Sequence, residues 1–74
     1  MSLKPTQIKV LKVLVENKDK YIGKDEIRRQ SGVNRNHIDS AVMFFLENDY
    51  IYQPSYDGEI KVTLDGICAY KECL

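Results

Sequence analysis

Behind Pro5, a residue suited to a first helical turn, Ile8, Leu11 and Val15 recur at helical spacing until Asn17, Lys18 and Asp19 break the pattern. Val10, Val13 and Leu14 widen the apolar surface of this first predicted helix beyond one stripe, so it must be covered on more than one side. Tyr21 and Ile22 form a short link to Gly23, a candidate helix cap. Asp25 and Glu26 then stand where they meet the positive end of a second helix dipole. That helix is expected to run to about Ser31. Gly32 follows at a point where the chain must turn between helices, a position that often needs a left-handed backbone. Asn34 caps a third predicted helix from Arg35 to about Asn48. Its buried stripe is Ile38, Ala41, Val42, Phe45 and Leu46, with Asn36, Asp39, Ser40, Met43 and Glu47 on the far side.

The pattern then changes period. Tyr50 to Pro54 is β-prone, Ser55, Tyr56, Asp57 and Gly58 read as a turn, and Glu59 to Thr63 alternates with Ile60 and Val62. This predicts a two-stranded β-hairpin, with Pro54 at an edge or strand end because it cannot donate a ladder hydrogen bond. Thr63 can cap a closing helix that carries Leu64, Ile67, Cys68 and Leu74 on one side, although Gly66 in its first turn is a weak helix former.

With 74 residues the chain is expected to form one domain, 1–74, with a small core. Its longest apolar run, Ala41 to Leu46, is far short of the roughly 20 residues that span a bilayer, and the N-terminus lacks the apolar stretch of a signal peptide, so a cytoplasmic protein is expected. Cys68 and Cys73 are five apart with no histidine or cysteine at metal-ligand spacing. They are expected to be two small buried or half-buried thiols. Formal net charge is zero, but the charges are segregated. Residues 1–37 hold nine Lys or Arg against four Asp or Glu, a net of +5, whereas residues 38–74 hold two against seven, a net of −5. Such a dipolar chain can turn a positive face to nucleic acid despite its neutral sum; the alternative is an ordinary solvated surface.

Two helices hinged at a glycine are a device for presenting the second helix, most commonly to a DNA major groove. Arg35, Asn36, His37 and Ser40 at its start are hydrogen-bonding types able to read base edges or grip phosphates. The order helix, helix-turn-helix, hairpin and closing helix resembles the winged-helix domains of small bacterial and archaeal transcriptional regulators, over nearly the whole chain. The residues that carry the resemblance are DEIRRQSGVNRNHIDSAVMFFLENDYI and VTLDG. The resemblance implies an α+β fold: a winged helix-turn-helix with a three-helix core, a two-stranded β-hairpin wing and a C-terminal helix. It implies double-stranded DNA as partner, with Asn34, Arg35, Asn36, His37, Asp39 and Ser40 on the recognition helix and Arg28 and Arg29 reaching nearby backbone. The chain departs from the family at Arg28, where a small residue usually sits four before the turn glycine, so Arg28 must snorkel outward or force a wider crossing. The wing tip also lacks the usual Arg or Lys and carries Asp57 and Glu59, leaving Lys61 and Tyr56 as weak wing contacts.

A sequence-specific DNA-binding transcriptional regulator is therefore the first expectation. The alternative is a winged-helix protein–protein interaction module without direct DNA binding, favoured by the zero net charge, the acidic wing and Met43 and Phe44, both expected to be exposed. No enzyme and no cofactor is expected, since the chain has no glycine-rich phosphate loop, nucleophile motif or paired-ligand spacing. Spare apolar surface invites a homodimer through Val10, Val13, Ile67, Tyr70 and Leu74; the competing arrangement folds the last helix back onto the first within one chain.

Overall fold

The computed structural model describes residues 3–73. Four helices follow one another along the chain: α1 (Pro5–Glu16), α2 (Lys24–Ser31), α3 (Arg35–Glu47) and α4 (Leu64–Glu72). Their starts follow local chemistry. Pro5 opens α1, and the Gln7 side chain reaches back to accept the Lys4 backbone N–H at 2.8 Å. Asn34 and Thr63 cap α3 and α4 by accepting the N–H groups of His37 and Gly66 at 3.1 Å each. At the far end of α1, the Asn17 amide donates to the Val13 carbonyl at 2.7 Å, which also accepts the Asn17 backbone N–H at 3.1 Å.

Helix α1 lies against all three others, which explains its broad apolar surface. Val10, Leu11, Val13 and Leu14 are buried, together with Ile27 from α2, Val33 from the turn, and Ile38, Ala41, Val42 and Phe45 from α3. Val10 and Val13, expected at a homodimer face, are thus consumed within one chain. Ile67 and Tyr70 of α4 are half-buried against the same core, and Leu74 lies outside the described residues. This is the fold-back arrangement that the apolar pattern left open. Both cysteines, expected to be at least half-buried, are exposed free thiols at the outer side and end of α4.

The expected α+β fold with a two-stranded wing is not what the chain forms. Among the described residues the domain is mostly helical, and β pairing is confined to two isolated antiparallel bridges, Ile51 with Val62 and Ile22 with Ile60. The bonds flanking the Ile51–Val62 bridge are Tyr52 N–H to the Lys61 carbonyl (3.0 Å) and Thr63 N–H to the Tyr50 carbonyl (2.9 Å). Neither neighbouring rung is completed: the Tyr50 N–H goes to the Phe45 carbonyl at 2.8 Å, and the Lys61 N–H makes no backbone bond to Tyr52 among the described residues. Further toward the turn a regular ladder would need an N–H from residue 54, and proline has none. The chain instead slips by one residue, with the Ser55 N–H donating to the Glu59 carbonyl at 3.0 Å and the Ser55 hydroxyl accepting the Glu59 N–H at 3.0 Å. A compact loop results. Ile22, Ile51, Ile60 and Val62 point into the core all the same, so the segment contributes apolar cover without forming a sheet.

Candidate functional site

The pair α2 and α3 is built around Gly32. With φ at 73° it occupies the left-handed region, and its N–H donates to the Arg28 carbonyl at 2.9 Å, closing α2 and reversing the chain within three residues. Val33 is buried directly after the turn, and Ile27 and Ile38 are fully buried where the two helices cross. Once these apolar anchors are fixed, the 3.6-residue period places the intervening residues on the outer face. Asn34, Arg35, Asn36, His37 and Ser40 are all exposed there, and Asp39 is half-exposed. Arg28 is exposed as well: the snorkelling outcome, with no loss of burial at Ile27.

The charged groups of this face are already engaged with one another. One Asp39 oxygen, Oδ1, is 3.0 Å from Lys24 Nζ and 3.4 Å from Arg35 Nε, while Arg35 Nη1 is 3.3 Å from Asp25 Oδ1. The Lys24 hydrogen bond is the largest influence on the Asp39 carboxyl; desolvation opposes it, and the Lys24 charge and then the hydrogen bond and charge of Arg35 leave the carboxyl below the usual aspartate range. On α2, Arg29 grips both Glu26 oxygens at 2.6 and 2.7 Å, and Gln30 donates to Oε2 at 2.7 Å. Hydrogen bonds from Gln30 and then Arg29 hold the Glu26 carboxyl low. Lys24, Arg28, Arg29 and Arg35 are thus set against Asp25, Glu26 and Asp39, leaving this face one positive charge in excess. Arg28 has no ionic partner among the described residues.

Lys24, Asp25 and Arg35 line an open groove of about 330 Å³ whose opposite wall is Asp57, Gly58 and Glu59 of the 55–59 loop. That wall is acidic, so an anion approaching Arg35 from the loop side meets like charge. Lys61 does not join the groove: its Nζ lies 5.9 Å from the centre of the Tyr21 ring, a cation–π distance, and the residue is half-buried. Tyr56, the other wing candidate, is fully exposed.

The structure therefore gathers Arg35 and Asp39 with two residues outside the sequence-based set, Lys24 and Asp25. It keeps Asn36, His37 and Ser40 as exposed side chains without hydrogen-bond partners among the described residues, and it separates Lys61 from them. Lys24 lies fifteen positions before Asp39, so no local spacing announces the pairing; only Asp25 carried a signal, as the acidic first-turn residue of α2. Among the described residues, no cluster of His, Cys, Asp or Glu could hold a metal ion, and no helix is long and apolar enough to cross a membrane. No protein-family model, curated protein or solved structure matches this chain.

Proposed function

We propose that this protein is a sequence-specific double-stranded DNA-binding regulator that inserts the start of α3 into the major groove. The observation that carries this reading is the exposure of Arg35, Asn36, His37 and Ser40 on the first two turns of a helix held at an angle by the Gly32 turn. Asparagine matches the donor–acceptor edge of adenine and arginine that of guanine, so these side chains suit direct readout. Arg28, exposed on α2 and free of ionic partners among the described residues, is suited to a phosphate. The 55–59 loop, acidic at Asp57 and Glu59, makes no contact with DNA on this reading and opposes binding only by its charge.

A second reading, an interaction module for another protein, is favoured by one specific observation. Lys24, Arg29 and Arg35 already have carboxylate partners, and Met43 on the same helix is 63% exposed. Selection of preferred sites from random duplexes tests the first reading directly. The wild-type protein should enrich a defined sequence, and replacement of Arg35 and Asn36 by alanine should abolish that preference. Selected sites that stay unchanged in the double variant would rule out α3 as the reading helix.

A further inference from the structure

We propose that Asp39 is a positioning residue that orients Arg35 for contact with a guanine, an inference that rests on the DNA-binding reading above. Arg35 is the first residue of α3 and Asp39 lies one turn later, so the carboxylate sits beside the guanidinium along the helix face. Asp39 Oδ1 accepts from Arg35 Nε at 3.4 Å and is itself held by Lys24 Nζ at 3.0 Å. Lys24 belongs to α2, so the carboxylate is braced from the neighbouring helix and its place does not depend on α3 alone.

With Nε turned toward the carboxylate that Lys24 braces, the two Nη nitrogens are left as the forward-facing donors. Nη2 has no partner among the described residues. Nη1 touches only Asp25, whose side chain is 91% exposed and held by that single 3.3 Å contact, so it yields readily to a competitor. Two parallel N–H donors match the O6 and N7 acceptors of guanine in the major groove. A phosphate is the poorer match: it needs no fixed orientation, and a formal anion beside Asp39 is repelled, whereas the neutral acceptors of a base edge are not. An arginine whose only task was phosphate contact would gain nothing from a braced carboxylate one turn away. Asp39, unfavourable for DNA affinity as a charge, is therefore favourable for discrimination as a brace.

The two effects have opposite signs, which makes the inference testable by site selection from a random duplex pool with wild type, Arg35→Ala, Asp39→Ala and Asp39→Glu proteins. Wild type should enrich a guanine at one position that Arg35→Ala no longer selects. Asp39→Ala should weaken the guanine preference at that same position roughly two- to five-fold, the scale of an exposed ion pair, while affinity for unselected duplex at low salt rises. Asp39→Glu, which keeps a carboxylate within reach, should retain the preference. Asp57→Asn should raise affinity for unselected duplex without touching the guanine position, since Asp57 lines the groove but forms no ion pair or hydrogen bond with Arg35 among the described residues. If Asp39→Ala raises affinity and leaves the guanine preference intact, Asp39 is only a repulsive charge and the inference is overturned, while DNA binding stands. Failure of the wild-type protein to bind any duplex at low salt overturns both.

Discussion

Replacing Gly66 by alanine adds one methyl group to the third position of α4, where helix propensity alone argues for a gain of up to about 1 kcal/mol. The surroundings argue the other way. A Cβ at this position falls inside the contact radius of the Tyr50 carbonyl oxygen and 2.6 Å from Val62 Cγ2. Neither neighbour can give way cheaply. The Tyr50 carbonyl accepts the Thr63 N–H at 2.9 Å, and Val62 is β-branched and 3% exposed. The same stitch continues through Thr63, whose hydroxyl donates to the Asp49 carbonyl at 2.7 Å and accepts the Gly66 N–H at 3.1 Å. Relief therefore requires α4 to move bodily and weakens a cap that contributes about 1 kcal/mol. Overpacking of this kind costs about 1–3 kcal/mol. With the cap loss opposing the propensity gain, the net destabilisation is about 2 kcal/mol, or a melting temperature lower by roughly 8–16 °C for a domain of this size. Thermal unfolding followed by circular dichroism measures it. A melting temperature equal to or above wild type would refute the close approach of α4 to Tyr50.

Gly23→Ser should act with the opposite sign, because Gly23 has φ −76° and open space where an added Cβ would lie, and a serine there gains a capping hydroxyl for α2. We expect about 0.5 kcal/mol, seen as a rise of roughly 2–4 °C in melting temperature. Asn34→Ala, which removes the acceptor of the His37 N–H, should cost about 1 kcal/mol in urea unfolding; no change would mean that the α3 cap is satisfied by water instead. The Asp39 carboxyl should titrate below the usual aspartate range by NMR. Its pKa is lowered by folding, so its pairing stabilises the fold above that range and is lost as pH falls through the lowered value; Lys24→Met should raise the midpoint more than Arg35→Ala does, and the reverse order would contradict the pairing. With Val10 and Val13 inside one chain, light scattering at tens of micromolar should give a mass near 8.6 kDa, and a doubled mass would place a dimer face on α4.

The helices were legible because each is marked twice, by apolar period and by a terminal residue. Pro5, Asn34 and Thr63 stand at the starts of α1, α3 and α4, and Gly32 lies in the left-handed turn its position demanded. The hairpin failed only in part for a reason present in the sequence: Pro54 offers no donor beyond Tyr52, but the Tyr50 N–H is taken by the Phe45 carbonyl at the end of α3, which the turn signal at Asp57 and Gly58 does not announce. Ile22 was read as linker because a single residue has no period, yet it exchanges two 2.8 Å backbone bonds with Ile60. Gly66 looked like a flaw in α4 and proves to be the residue that lets α4 close on Tyr50. For the candidate site, the exposed face from Asn34 to Ser40 followed directly from helical period. The pairing of Asp39 with Lys24, and of Arg35 with Asp25, did not, because each joins two helices whose crossing angle no local pattern specifies.

Affinity for random duplex DNA measured across a salt series tests the central claim most directly. With Arg28 and Arg29 of α2 as the cations able to reach phosphates, about one or two contacts are expected. The logarithm of the binding constant should then fall with the logarithm of salt concentration at a slope of about −1 to −2. Absence of binding at low salt would contradict the claim that α3 faces DNA, and a slope near zero would contradict the phosphate contacts that bring it there.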